Sequence, residues 1–382
     1  MTLQNYTLTT KDAERWRRVV PMDVSITASL EYLRIFEVQT GLAARLFVVG
    51  GEQPLVAYPY LVRPIASLPF AESICTQKMD TTSPEYRGPL ALPGASPEEL
   101  AALDFPAVFS QHCREAGIVA EFAHLNPWNG AGALVEPSCV KLDREIVYVD
   151  LTGSEDDIWT KSLSSDGRRQ TRQGHRAGVT VRRASTPEDV LAFHRLHTQT
   201  MERRQALDRY FHTVEHFMAF HETMPENAFF ALAELDGHTV AGGLFFQDAT
   251  ELHWHLSAAD LRYTHARPVN VYVYETILAA LGSGRQRMIM GGGYGKDDGV
   301  FRFKTNFSPL RAPFCTYERI HDAAAYAALG EEWSRHHGAP VEAGKFFPAY
   351  RASPPTNATD ATSPAFVASA LLAQGIGVSL LG

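Results

Sequence analysis

The feature that most constrains this chain is an alternation of strand and helix patterns that runs to about residue 150 and then starts over. Residues 25–40 carry Ile26, Leu30, Leu33, Ile35 and Phe36 near helical spacing, and 44–49 and 54–64 alternate as paired strands about the turn Gly50-Gly51-Glu52-Gln53. A helix over about 97–116, a strand at 118–122 and another at 145–151 complete the first round. The second round opens with a helix over 155–177 ending at Gly178 and a strand at 179–183. Thr186-Pro187-Glu188-Asp189 then starts a helix, with proline in its first turn and acids near its N-terminus. A further helix at 213–223 precedes a meander of strands at 228–235, 239–247 and 251–258, with Asp236-Gly237 as a hairpin turn. A helix over 268–281 and a short buried strand at 287–290 lead into a glycine turn that delivers 300–307. The expectation is a mixed α/β fold of two similar units, residues 1–145 and 146–345, with mixed β-sheets flanked by helices. Residues 346–382 read as a partly flexible tail, since Ser353-Pro354-Pro355-Thr356-Asn357-Ala358-Thr359 has linker composition.

With 382 residues, 45% of them apolar, the chain can bury two cores. No apolar run reaches the eighteen or so residues of a membrane span, and Met1-Thr2-Leu3-Gln4-Asn5 lacks the charged-then-apolar pattern of a secretory signal, so a cytoplasmic protein without an integral membrane segment is expected. Cys75, Cys113, Cys139 and Cys315 are too scattered for a metal knuckle or a disulfide framework. The net charge of −8 excludes wholesale coating of nucleic acid, and no DNA partner is expected. A basic patch nonetheless stands out at Arg168, Arg169, Arg172, His175, Arg176, Arg182 and Arg183; no acid lies at i±4 of its first three arginines, which suits phosphate, although a solvated helix face has the same composition.

The strongest candidate site runs from Gly291, Gly292 and Gly293 through Asp298-Gly299-Val300-Phe301-Arg302-Phe303-Lys304-Thr305-Asn306-Phe307. A glycine-dense turn frees the backbone to approach a ligand with its N–H groups, and Phe301, Phe303 and Phe307 could hold the Lys304 ammonium in a partly dry wall, where it would steady an oxyanion. A lysine on an exposed edge strand is the plainer alternative. His212-Thr213-Val214-Glu215-His216 fits the zinc pattern His-x-x-Glu-His, but Phe211, Val214, Phe217 and Met218 make it an ordinary amphipathic helix with no third ligand, and no metal is expected. His253 and His255, two apart on a strand, read as satisfied histidines beside a cleft, with His255 facing substrate. Tyr86 and Arg87 suit an acceptor carboxylate or phosphate, or simple packing.

In its order of elements the chain resembles the GNAT acyltransferase fold used twice in tandem, as in the Fem family of aminoacyltransferases. The resemblance rests on the arginine-rich 168–179 segment, Thr200-Met201-Glu202-Arg203-Arg204, Pro268-Val269-Asn270, and the glycine turn followed by Phe303-Lys304-Thr305-Asn306-Phe307. Glu85-Tyr86-Arg87-Gly88-Pro89 and His124-Leu125-Asn126-Pro127-Trp128 are looser matches in the first half. It implies transfer of an aminoacyl group from aminoacyl-tRNA, as co-substrate and partner, to the amine of a peptide-like acceptor, with no permanently bound cofactor. It further implies Lys304 at the oxyanion, Phe303 shaping its pocket, and Arg168, Arg169 and Arg172 on donor phosphates. Acyl-CoA users of the class carry a glycine-rich diphosphate loop before the long helix, and 257–268 has none. An acyl-CoA-dependent acyltransferase acting on an amino sugar or natural-product amine is the alternative, and a non-catalytic tandem binding module the third reading.

Overall fold

The computed structural model describes residues 4–354 apart from 72–73, 75–76, 84–85, 294–297 and 343, and excludes the side chains at 86, 87 and 209. The strands in chain order are β1 Asn5–Thr9, β2 Ala43–Gly50, β3 Pro54–Pro64, β4 Met79–Thr82, β5 Tyr86–Arg87, β6 Leu90–Ala91, β7 Ile118–Leu125, β8 Val140–Asp150, β9 Thr180–Arg183, β10 Ala228–Leu235, β11 His238–Gln247, β12 Glu251–Ala259, β13 Arg287–Gly291 and β14 Arg311–Ile320. The α-helices are α1 Ala13–Val19, α2 Leu30–Thr40, α3 Pro97–Ala102, α4 Phe105–Ala116, α5 Glu155–Asp157, α6 Ser165–Arg176, α7 Pro187–Arg203, α8 Val214–Thr223, α9 Pro268–Ala280, α10 Gly299–Lys304 and α11 Ala323–His337.

All the strands belong to one mixed sheet, ordered β1-β2-β3-β4-β7-β14-β8-β13-β12-β11-β10-β9, with β5 and β6 joining from the side. The order is nearly symmetric about its middle. Each half contributes an antiparallel run closed by a parallel pair, β4 with β7 and β12 with β13. Each half then gives its last strand away: β8 follows β7 in the chain but pairs with β13, and β14 follows β13 but pairs with β7. The two exchanged strands also pair with each other, from Arg311 opposite Val147 to Tyr317 opposite Val140. The expected division at residue 145 thus falls inside β8, in the centre of a continuous sheet.

The hydrophobic core crosses the same division. Trp16, Tyr32 and Phe36 of the first half pack in one cluster with Phe193 of α7, Phe217 and Phe220 of α8, and Phe246 of β11. Burying each such ring is worth roughly 1.5–3 kcal/mol. The opposite face of the β10–β12 region is covered by α9, with α6 lying against it. That contact demands small residues: a Cβ on Gly174 would run into Val271 Cγ2 and lie 3.0 Å from the Ala266 carbonyl oxygen.

Two expected helices are broken in two. The 97–116 helix ends at Ala102 and restarts at Phe105, because Asp104 accepts from Ala107 N at 3.1 Å as an N-cap ahead of Pro106. The 155–177 helix stops after a π-turn over Ile158–Ser162, and Ser164 caps a new start by accepting from Gly167 N at 2.9 Å. Segment 300–307 is no strand: α10 occupies its first half. At the other end, Arg351 Nε lies 2.6 Å from Asp80 Oδ2, docking the start of the expected tail on β4, while 355–382 and Cys75 lie outside the described residues.

Candidate active site

The parallel pair β12 and β13 is in register only from Glu251 opposite Arg287 to His253 opposite Ile289. Beyond that β12 continues to Ala259, whereas β13 stops at Gly291, so the strands part. On the α9 side, Trp254 and Ser257 of β12 pack against Tyr272, with Ser257 Oγ and Tyr272 OH 2.5 Å apart.

The glycine turn at the end of β13 is forced by its neighbours. Gly291 has φ +78, a Cβ on Gly292 would lie 2.8 Å from Arg144 Cδ, and one on Gly293 would overlap the Asp298 carboxylate. Asp298 N-caps α10 by accepting from Phe301 N at 2.8 Å, and six residues later the helix delivers Lys304. Lys304 is 2% exposed; its Nζ donates to the Gly292 carbonyl at 2.7 Å and lies 5.8 Å from the centroid of the Trp254 ring. Burial pushes its pKa down to about 7, with the Asp298 charge opposing and Arg144 adding to the effect. Arg144 of β8 donates Nη1 to the Gly293 carbonyl at 2.7 Å. The turn therefore offers carbonyls to two cations, where the sequence suggested amides offered to a ligand.

The aromatic wall also differs in membership. Phe301 sits under Arg311, 5.3 Å away, and Phe307 is fully buried in the core beside Phe303. Phe303 is half-buried, 6.5 Å from Trp254, and Trp254 is the ring that faces the ammonium. Neither Trp254 nor Arg144 was singled out from sequence. His255 is not brought to Lys304: a register shift in β11–β12 makes it the extra residue, and it packs 4.6 Å from Phe246 in the other core cluster. The side chains of Tyr86 and Arg87 lie outside the described residues.

The basic patch is largely engaged locally. Arg168 Nη1 donates to the carbonyls of Leu163 at 2.6 Å and Trp159 at 3.1 Å, closing the end of the π-turn. That nitrogen is thereby committed to the backbone. Arg169 pairs with Asp166, a partner at i−3, and Arg172 lies 4.8 Å over Trp159, so Arg169 and Arg172 remain exposed on α6 but not partnerless. Arg182 bridges Asp189 and Glu234.

Among the described residues one group has the spacing for a metal ion: Asp248, Glu251 and His253, all buried. Glu251 is already occupied, accepting from Asn126 at 2.9 Å and Arg287 at 3.0 Å with His253 Nε2 at 3.3 Å, and these partners hold its carboxyl low although burial pushes the other way. The trio reads as an ionic tie between the His124-Leu125-Asn126-Pro127-Trp128 segment and the start of β12, with Arg287 also over Trp128. His212 and His216 stack with ring centroids 4.5 Å apart, and burial drives their pKa values down to about 3 and about 2.

Residues 161–305 match the family model described as Acetyltransferase (GNAT) domain, which contains α6 to α10 and Lys304. No curated protein matches the chain. Among solved structures it is similar to FemX, at 13% identity and a TM-score of 0.63 over 85% of this chain and 99% of that one. It is also similar to the C-terminal domain of a putative lysylphosphatidylglycerol synthetase from Agrobacterium fabrum, at 14% identity and a TM-score of 0.54 over 84% and 93%. A conserved protein of unknown function from Bacteroides thetaiotaomicron follows, at 11% identity and a TM-score of 0.51 over 83% and 99%. At such identities the likeness is one of fold, and that fold is the mixed sheet flanked by helices described above.

Proposed function

We propose that this chain, whose residues 161–305 match a GNAT acetyltransferase domain, is an N-acyltransferase that forms an amide bond by moving an aminoacyl group from aminoacyl-tRNA to the amine of a peptide-like acceptor. The observation that carries the reading is Lys304, a buried cation beside the opening between β12 and β13. An ammonium has three donors, and Gly292 takes one, leaving two to meet an oxyanion. The acceptor nitrogen attacks the ester carbonyl, the tetrahedral oxygen gains its charge near Lys304, and collapse expels the ribose oxygen of the tRNA. The amine's proton passes to that departing oxygen, so an ester donor requires no dedicated protein base. Phe303 shapes the pocket through Trp254, and Gly291, Gly292 and Gly293 fix where the ammonium stands. Arg169 and Arg172, exposed on α6, are the proposed first contacts for tRNA phosphates.

The loop before α9 supports tRNA over CoA as donor. It is a 3-10 turn over Leu261–Ala266 without glycine, it enters the helix through Pro268, and Gln173 of α6 donates to its His265 carbonyl at 2.8 Å. The acidic net charge of −8 favours the second reading, an acyl-CoA-dependent transferase of a small amine. Among the described residues no helix is long and apolar enough to cross a membrane. The test is direct: incubate the full chain with peptide-like amines and either charged tRNA or acyl-CoA, and follow the amide product. Product that ribonuclease abolishes supports the proposal, product from acyl-CoA alone supports the second reading, and product from neither donor leaves a binding module.

A further inference from the structure

A cavity of about 300 Å³ opens at the end of the sheet where β10 and β12 begin and β9 and β11 finish, walled on one side by the last turns of α9. Leu252 and Ala280 give it an apolar floor, and two guanidiniums, Arg183 and Arg285, line it. Neither has an ion-pair partner among the described residues, and Arg285 Nε is buried without a hydrogen bond. Arg182, which also reaches the cavity, is saturated by Asp189 and Glu234, and Glu275 at the wall is engaged with His175 at 3.3 Å. Arg183 lies over a ring stack: it is 3.8 Å from the centroid of Phe229, which stacks on Phe245 at 5.3 Å, which in turn stacks on Trp254 at 6.4 Å. Burial and then the like charge of Arg285 lower the basicity of Arg183, with the charge of Glu226 opposing them. Two mutually repelling cations on one cavity, Arg183 exposed and Arg285 half-buried, suit a ligand carrying about two negative charges, and a planar fork of donors matches a phosphate.

We propose that Arg183 and Arg285 form a phosphate-binding subsite, distinct from the opening at Lys304 and independent of which acyl donor the protein uses. The phosphate enters as a free phosphate ester or as a phosphodiester of RNA; the chemistry of recognition is the same. Titrating the full chain with inorganic phosphate and pyrophosphate at constant ionic strength, read by calorimetry and by thermal unfolding, gives saturable binding and a raised melting temperature. Arg183→Gln and Arg285→Gln each weaken that binding by at least about tenfold, the scale of one lost charge-assisted hydrogen bond, while Arg169→Gln and Lys304→Met leave it unchanged. Far-ultraviolet circular dichroism checks that the variants fold, and Arg285→Gln, outside the ring stack, serves if Arg183→Gln does not. Uncharged tRNA that displaces phosphate, and itself binds less well to both variants, identifies the RNA source; failure to displace identifies the free ester. Absence of saturable phosphate binding to the wild type, or undiminished binding by both variants, overturns the subsite. No reading depends on acyl transfer, so the result stands apart from the donor assignment.

Discussion

The Lys304 ammonium donates to the Gly292 carbonyl at 2.7 Å, tying the end of α10 back to the turn that precedes it. This bond fixes the cation at the opening where β12 and β13 part. Replacing the side chain with one of similar length but no charge, Lys304→Met, should lower turnover by about a hundredfold or more, as loss of a single oxyanion donor does. Circular dichroism of the variant should match the wild type. Unimpaired turnover would remove Lys304 from the chemistry.

A pKa near 7 makes that cation sensitive to ordinary buffers. As pH rises through about 7 the ammonium loses its proton, so kcat should acquire a falling alkaline limb. Arg stays protonated throughout, and Lys304→Arg, although slower, should lack the limb. The same shift affects stability with a definite sign. Lys304 is depressed in the folded state, so the unfolded chain binds more protons between about 7 and the ordinary lysine value near 10.4, and stability relative to Lys304→Met should rise with pH across that window. Rate profiles and denaturant midpoints at pH 6.5 and 9 measure both effects; a flat wild-type profile would sink the first.

The neighbouring glycines should respond unequally. A methyl at Gly293 meets the Asp298 carboxylate that caps α10, so Gly293→Ala should cost roughly 0.5–2 kcal/mol of cap energy and displace Lys304, with kcat falling more than stability predicts. A methyl at Gly292 comes nearest the flexible stem of Arg144, at 2.8 Å, and meets the Glu145 carbonyl oxygen at 3.1 Å, a looser fit than the overlap of a Gly293 methyl with Asp298. Gly292→Ala should therefore be the milder variant, and the reverse ranking would contradict the geometry.

The arginines of α6 divide by partner. Arg168→Ala strips a donor from the carbonyls of Trp159 and Leu163 and should lower stability by about 1–3 kcal/mol in urea denaturation. Arg169→Ala breaks an exposed pair and should stay within about 0.5 kcal/mol. If α6 meets tRNA, Arg169→Gln with Arg172→Gln should flatten the dependence of donor affinity on salt by about two units of slope. An identical slope would leave the helix face merely solvated.

Local signals carried the second half of the chain well. Asp236 and Gly237 have φ +51 and +78, the left-handed pair a tight hairpin requires, and β10 and β11 fall where that turn directs them. The order of helices around the meander was equally legible, because each element marks itself by its own period or cap. β14 was not seen. Pro313 interrupts its pattern, tolerated because at that point only β8 pairs with it, and its partners lie far away in sequence. The same cause hid Arg144 and Trp254, whose importance comes from contacts over long separations: nothing near Arg144 announces that it will hold the Gly293 carbonyl. His255 departs from the strict alternation that the sequence of β12 suggests, because a register shift breaks it. Spacing at i±4 leaves Arg168 without an acidic partner, whereas its partners are backbone carbonyls.

The reciprocal placing of β8 and β14 limits how this molecule can move. A hinge that swung the halves apart would have to unzip β7 from β14 or β8 from β13, rupturing main-chain ladders at the middle of the sheet. Substrates must then be admitted by adjustments at the rim, with side chains and short helices such as α10 giving way, while the two lobes travel as one piece. Severing the chain between β7 and β8 would likewise yield fragments that each hold the other's keystone, so neither should fold until the two are mixed.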